Sequence, residues 1–501
     1  MLMENKVPRK AIYVLLFVVI LSLSFCVTAL SAVPNPQPTD SQLKITTVPN
    51  YFYLTDNNEN TTVLRDSITI AANENIHSIY IKFWNATPNF TLTIGEKEYE
   101  YTQSFLHTFI AIPSDVTECR EVTIKFEENV QLSDIYAFKE GELPEWVQIW
   151  KEPCEKADML LFSSFPGDEH SYLSGIIPYY AKVKQYKIQV VSLVNYKSIK
   201  NHELLNGLWD AGIQYYPVIS DFPYVYSTTE NNAITALKNN GIELEDVYEF
   251  QTEAIRRFKP LVIIGQDLNG ENTKVGQRIL LANALTKAIK SAGDAESFPE
   301  SSKSYGLWTP KKVYIHLYND KQITLNWDVP SNKLEGLSPF QASQKAFKYH
   351  NSLLYSVTSN WLNGIQTKIT QASQITDSSP TLFGLYFSSV GNDVNKNDFF
   401  ENLISYEEQE RIEQQKYKEE LEKQKEKEEE SKRIEESMRL ESEAESSREA
   451  AKQAKRESER LAAKAAQENN NSSAPLIIAI IMLIASISAV VVILVKRFLN
   501  N

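Results

Sequence analysis

Cysteine is scarce: three residues in a chain of 501. If Cys26 leaves with an N-terminal segment, at most one disulfide can form. Cys119 and Cys154 then either join the first domain to the start of the next or stay as two buried thiols, and both readings stay open because their separation is not legible in the sequence. Positive charge is also short. Lys and Arg number 51 against 64 Asp and Glu, a net charge of -13. That balance argues against nucleic acid or an anionic membrane surface as the main partner. Glycine and proline are missing altogether from 403 to 470, and charge is missing from 476 to 495. The first absence suits an uninterrupted helix. The second has the length and composition of one bilayer span.

The two ends carry these signals outward. Lys6, Arg9 and Lys10 precede the apolar "AIYVLLFVVILSLSF", and the small residues of "VTALSA" follow. The pattern is that of a signal peptide over 1–32, cleaved after Ala29 or Ala32. An uncleaved anchor is the rival reading, because the apolar run is long. At the other end Pro475 suits a first helical position. Lys496 and Arg497 follow the span at once, which places the tail 496–501 in the cytoplasm. The expectation is a single-pass cell-membrane protein, anchored through 476–495, with its globular part outside the cytoplasm.

Between the ends, 501 residues imply two or three folded units. Short runs such as "SIYIKFW", "FTLTIG" and "EVTIKF", split by polar turns, predict a β-sandwich over 46–150. Trp84 is either an exposed sugar-stacking ring of that domain or part of its core. From 156 to 400 strands such as "MLLFSS", "IQVVSLV", "LVIIG" and "VYIHLY" alternate with helical stretches. Such alternation predicts an α/β domain with a Rossmann-like, mostly parallel sheet. From 403 to 470, Glu and Lys or Arg recur four apart, as at Glu419 and Lys423. The a/d stripe is broken at Gln424 and Glu428. The segment reads as a charged helical stalk of roughly 90 to 100 Å, with coiled-coil self-association or a solvated linker left open.

Function is concentrated in "LLFSSFPGDEH", residues 160 to 170. A buried strand ends in a turn that delivers Asp168, Glu169 and His170. In an open α/β sheet, ligands sit beyond the carboxyl ends of the strands. "GQDLNGEN", with Gln266 and Asp267, follows another strand and reaches the same crevice. His316 on "VYIHLY" and His350 on "KAFKYHNS" are further crevice candidates, read first as satisfied, partly buried histidines. Glu169 fits a helix-start cap on dipole grounds.

Over about 155–400 the chain resembles the LmbE/PIG-L family of zinc-dependent N-deacetylases. The blocks "LLFSSFPGDEH", "HELLNGLW", "YYPVI", "FKPLVIIGQDLNGE", "KVYIHLY" and "FGLYFSSVGNDVNKNDFFENL" carry the likeness, in the order of the longer bacterial members. The family's first motif reads His-Pro-Asp-Asp-Glu. Its first His and second Asp bind zinc with a later His, and the first Asp is the general base on the metal-bound water. A further His supports the oxyanion. On this sequence the ligand His falls on Phe165 and the base on Gly167. The second Asp is retained as Asp168, and the Glu as Glu169. The oxyanion His falls on Lys274 and the last ligand on Gln277, while Gln266 stands where longer members tend to carry His. Longer members also carry a His at the position of His170, so another role is expected of it than that of substitute ligand. Asp168 and Lys274 fit an internal ion pair.

The resemblance therefore implies a deacetylase-like domain with two of three zinc ligands and the base missing. No cofactor is expected at that centre. The leading expectation is a catalytically silent protein whose crevice binds a glycan or a partner protein. The alternatives are an active N-deacetylase on N-acetylated amino sugars, and a structural or adhesion module.

Overall fold

The computed structural model describes residues 39–49, 51–85, 88–102, 104–353 and 369–467. The chain divides into two units, with the boundary between Gln409 and Glu410.

The first part of the larger unit holds seven strands: β1 (Ile45–Val48), β2 (Val63–Ala72), β3 (Ser78–Phe83), β4 (Phe90–Ile94), β5 (Lys97–Tyr101), β6 (His107–Ala111) and β7 (Glu121–Phe138). Their order is β1-β2-β7-β3-β6, with β4 on β7 and β5 on β4. Every pairing is antiparallel. β7 organises the whole. Its first half pairs with β2 and β4, and its second half with β3. Val122, Ile124 and Phe126 are buried in alternation in the first half, the pattern of a sheet with one wet face. From Leu132 to Phe138 every residue is buried, because the second face is covered too: Tyr80, Tyr136 and Phe138 pack with Trp146 and Val147. The strands expected as a β-sandwich over 46–150 are thus joined in one hydrogen-bonded ladder. The cause is the length of β7, which at 18 residues carries the ladder from one region into the other.

The second part holds β8 (Met159–Ser163), β9 (Ile188–Ser192), β10 (Val218–Ile219), β11 (Val262–Gly265), β12 (Lys312–His316), β13 (Gln322–Thr324) and β14 (Leu382–Ser388), ordered β10-β9-β8-β11-β12-β14-β13. The pairings from β10 through to β12 are parallel, and β14 runs antiparallel to both β12 and β13. Around the sheet lie α1 (Ile199–Ala211), α2 (Glu230–Asn239), α3 (Leu244–Phe258), α4 (Gly276–Ala292), α5 (Pro299–Tyr305) and α6 (Pro339–Phe347). Side chains alternate between the two faces, as the pleat requires. Met159, Leu161 and Ile264 enter a core with Leu204, Leu208 and Phe340. Leu160, Phe162 and Ile263 enter another with Val247, Phe258, Leu281 and Leu285. After β8 the chain builds outward through β9 and β10, then returns to place β11 on the other side of β8. That reversal opens a crevice beyond the ends of β8 and β11, where ligands of open α/β sheets bind.

The last helix, α7 (Tyr406–Gln467), is continuous over 62 residues. Its start is fixed by Tyr406, whose N–H donates to Asp158 and whose hydroxyl donates to the Lys259 carbonyl, both at 2.6 Å. Arg439 and Glu443 form one of the four-apart pairs, at 3.5 Å.

Among the described residues no helix is long and apolar enough to cross a membrane. This corrects the expected architecture with a transmembrane helix and the single-pass localisation built on it. The segments 1–32 and 476–495 lie outside the described residues, so no described element carries either expectation. Cys119 and Cys154 are both buried free thiols. Trp84 stacks on His202 of α1, centroids 5.4 Å apart.

Candidate functional site

The turn after β8 is pinned from two sides. The Ser164 N–H donates to Gln266 Oε1 at 2.6 Å, which ties the end of β8 to the end of β11. The Phe165 N–H donates to Asp168 Oδ2 at 3.2 Å and closes the turn. Glu169 lies underneath. Its carboxylate accepts from the Gly167 N–H at 3.0 Å and from the Ser163 hydroxyl at 2.9 Å. It thus braces the turn from within; a helix start is not what it caps. Burial pulls the Glu169 carboxyl upward, but His350 and His170 beside it outweigh burial and hold it at about 2. Burial lowers His170 to about 4. At neutral pH the site therefore contains an ionised carboxylate and a neutral imidazole.

Asp168 has a partner that sequence reasoning missed. Arg278 Nη2 donates to Oδ1 at 2.8 Å and to Oδ2 at 3.0 Å, and Arg278 Nε donates to Oδ2 at 3.2 Å. Gln266 Nε2 adds a donor at 3.1 Å. The guanidinium is held in turn by the Thr273 hydroxyl at 2.8 Å. It lies 4.7 Å from the Phe165 ring centroid and 5.1 Å from that of Tyr172. Burial raises the Asp168 carboxyl, while Arg278 and Gln266 pull it back toward the charged form. The expected partner, Lys274, is exposed at a positive φ of 58°. The ion-pair expectation is therefore corrected from Lys274 to Arg278. The reason is helical geometry: α4 begins at Gly276, so position 278 sits in its first turn and faces the crevice. An arginine inside the otherwise apolar "RILLANAL" was the available signal.

The other positions are equally engaged. Gln277 turns away from Asp168, accepting from the Val225 N–H at 2.9 Å and donating to the Pro223 carbonyl at 2.8 Å. Gly167 has φ +98°, and a Cβ built there would lie 2.6 Å from Leu353 Cδ1. The volume of the expected general base is thus filled by leucine. Asp267 accepts from the Glu271 N–H at 3.2 Å, and the Asp267 N–H donates to Glu271 Oε1 at 3.0 Å. Glu271 also pairs with His316 Nδ1 at 2.7 Å, and His316 Nε2 meets the Ser379 carbonyl at 2.9 Å. His316 and Asp267 thus form a separate, satisfied buried group. His350 lies elsewhere, beside Glu169 and His170.

Zinc does not fit the motif positions. Phe165 and Gly167 offer no ligand atom, Gln277 is committed to the 223–225 loop, and Asp168 is saturated by a guanidinium. A tetrahedral site needs three protein donors converging on one point, and here a cation already stands against the one carboxylate.

At the mouth of the crevice the surface is aromatic. Tyr196 and Tyr224 stack at 5.4 Å and 19°, Phe165 meets Tyr224 edge-on at 5.9 Å, and Lys200 stands 3.8 Å over Tyr196. Tyr224 is 44% exposed and Tyr226 80%.

No family description and no curated protein matches the sequence. Among solved structures the chain is similar to the conserved protein TT1542 of Thermus thermophilus, at 10% identity, over 47% of this chain and 97% of that one, with a TM-score of 0.31. It is similar also to the N,N'-diacetylchitobiose deacetylase of Pyrococcus horikoshii, at 11% identity, over 46% and 84%, TM-score 0.32. A third likeness is to CpGH89CBM32-6 from Clostridium perfringens, at 21% identity, over 21% and 98%, TM-score 0.17. At such scores the likeness fixes neither activity nor ligand.

Proposed function

We propose that this chain is a deacetylase-like protein that does not hydrolyse amides at its motif crevice, and that the crevice mouth binds a glycan. The single observation behind this reading is the bidentate Arg278–Asp168 pair. It places a fixed cation against the one carboxylate retained from the zinc motif. Three further replacements leave no donor set around it: phenylalanine and glycine in the first motif, and a glutamine bonded elsewhere. The aromatic rim of Tyr196, Tyr224 and Tyr226 supports the binding half. Ring faces offer flat apolar area and the tyrosine hydroxyls a polar edge, which suits the mixed faces of a sugar.

The test is acetate release from N-acetylglucosamine oligomers, run beside a glycan array. Glycan retention without turnover is the expected result. Acetate release abolished by Asp168→Asn would overturn the reading in favour of an active N-deacetylase. No glycan retention, with a protein partner captured by crosslinking at the rim, would overturn the binding half in favour of a protein-interaction module.

A further inference from the structure

Behind the closed crevice lies a second cluster that the motif does not account for. Glu169, His170 and His350 come together with one ligand atom from each, all within 4.8 Å of one another. Glu169 Oε1 is 3.2 Å from His350 Nε2 and 3.8 Å from His170 Nε2. All three side chains are fully buried. None of the four ring nitrogens has a well-aligned hydrogen bond to a described residue. Glu169 stands within ion-pair reach of both Nε2 atoms, but buried nitrogens without aligned hydrogen bonds are costly, and one occupant shared by the carboxylate and the two Nε2 atoms would satisfy them together.

Gly207 of α1 lies against both imidazoles. A Cβ built on Gly207 would lie 2.9 Å from His170 Nε2 and 3.1 Å from His350 Nε2. Any side chain at 207 would collide with both Nε2 atoms, so glycine leaves the space around them open. In a tetrahedral site with bonds near 2.0–2.1 Å, ligand atoms stand roughly 3.3 Å apart. The spacings to Glu169 fall on either side of that value. Two imidazoles and a carboxylate suit a divalent transition ion of the zinc type, whereas calcium and magnesium require a cage of oxygens. Charge supports the same occupant. A dication with Glu169 leaves one positive charge, and the buried Glu203, one turn before Gly207 on α1, interacts electrostatically with His350. Glu203 is itself fixed by the Ser352 N–H at 2.7 Å.

A second cluster serves as a contrast. Glu59, His107 and His202 are also close enough to share a metal. There, however, the ring nitrogens are occupied by Gln148, by each other and by the Trp84 carbonyl. The Lys82 ammonium already pairs with Glu59. That group needs no ion.

We propose that Glu169, His170 and His350 bind a structural divalent transition-metal ion, with Gly207 providing its space. The ion joins two separate segments: the turn after β8 and the turn after α6. His350 also lies beside Gly167, its Nδ1 3.6 Å from a Cβ built there, and Leu353 follows three residues on. Metal binding thus fixes the segment that places leucine in the space of the missing base. Glu169 belongs to the motif, but the site uses none of the motif's zinc-ligand positions.

The experiment measures metal content of the full chain by mass spectrometry after dialysis against zinc and then buffer, together with zinc affinity by chelator competition. About one equivalent of zinc is expected, lost in His170→Asn and in His350→Gln but kept in Asp168→Asn. Because a ligand variant can fail to fold, Glu203→Gln provides a milder probe outside the ligand set. It should weaken zinc several-fold, because it removes a buried negative charge that acts on His350. Absence of stoichiometric zinc from the folded wild-type chain would overturn the metal site and leave the silent-crevice reading standing. Zinc lost in Asp168→Asn but kept in folded His350→Gln would overturn the site too, and would reopen the motif centre.

Discussion

Replacing Arg278 by methionine removes the cation while keeping most of the side-chain length. The effect follows from three observations. Arg278 and Asp168 are only 10% and 7% exposed, so water cannot take the place of the lost guanidinium. Removing one member of a buried ion pair costs about 3–5 kcal/mol. Two donors survive, Gln266 Nε2 and the Phe165 N–H, which favours the lower part of that range. Asp168 also has an escape: with burial already raising its pKa, it takes up a proton once Arg278 is gone. Protonating a carboxylate of unfolded pKa about 3.9 at pH 7 costs about 4 kcal/mol, at about 1.4 kcal/mol per pH unit. This sets a ceiling that falls with pH. The sign is that of a carboxyl whose folded pKa lies above its unfolded one. The folded variant binds the extra proton, so its deficit shrinks as pH drops toward about 4 and is fully developed above the raised folded value. Arg278→Met should therefore lose about 3 kcal/mol in urea unfolding near pH 7 and only about 1 kcal/mol near pH 5. Asp168→Asn combined with Arg278→Met should recover most of the loss at pH 7. A deficit equal at both pH values, or below about 0.5 kcal/mol at pH 7, would show that Asp168 is not the charge Arg278 neutralises.

Three further outcomes are expected. Gly167→Asp, which introduces the aspartate that the resemblance would place there, should destabilise the fold by about 2–4 kcal/mol, because the new Cβ meets Leu353 and the backbone φ is positive; thermal melts check this, and adding Leu353→Ala should relieve part of the loss without producing acetate release. Glu271 holds buried His316 above its ordinary value of 6.5, against the opposing effect of burial. That contribution is complete below the unfolded pKa and lost as pH rises through the folded one, so melting temperature should fall from about pH 6.5 upward, and His316→Asn should flatten the slope. Tyr226→Ala should reduce glycan retention on an array several-fold while leaving stability within about 0.5 kcal/mol, since that ring is 80% exposed.

The alternation of strands and helices over 156–400 was legible because buried strands such as "MLLFS" and "VIIG" are continuous apolar runs between helical periods. The position of the crevice was legible for the same reason, since ligand sites follow strand ends. The single-sheet form of the first region was not legible. β7 contains the polar stretch "EEN" at 127–129, which reads as a turn between two strands, and only the pairing shows that the strand runs through it. Asp168's partner was missed because Lys274 and Arg278 are four residues apart, and the choice between them depends on where α4 begins. The grouping of His170 with His350 joins residues 180 apart, and no periodicity reports such a contact. Its one local trace is Gly207 within an otherwise ordinary helix, where glycine costs roughly 1 kcal/mol relative to alanine and so calls for a packing reason.

The residues at the positions where the resemblance would place a zinc motif hold one another. Buried polar groups left without partners would each be a cost to the fold. The motif positions show the opposite. Asp168 accepts from a guanidinium and an amide, Gln277 spans both polar atoms of its side chain across the 223–225 loop, Phe165 offers its ring to Arg278, and the space at Gly167 is filled by Leu353. These positions depend on one another: a histidine at 165 would face Arg278, and an aspartate at 167 would strike Leu353. The crevice is a packed core with an aromatic rim. Against that background His170 and His350 stand out as two buried imidazoles beside one carboxylate, with no aligned hydrogen bond to either ring. A bound ion provides for the Nε2 atoms what the arginine provides for Asp168.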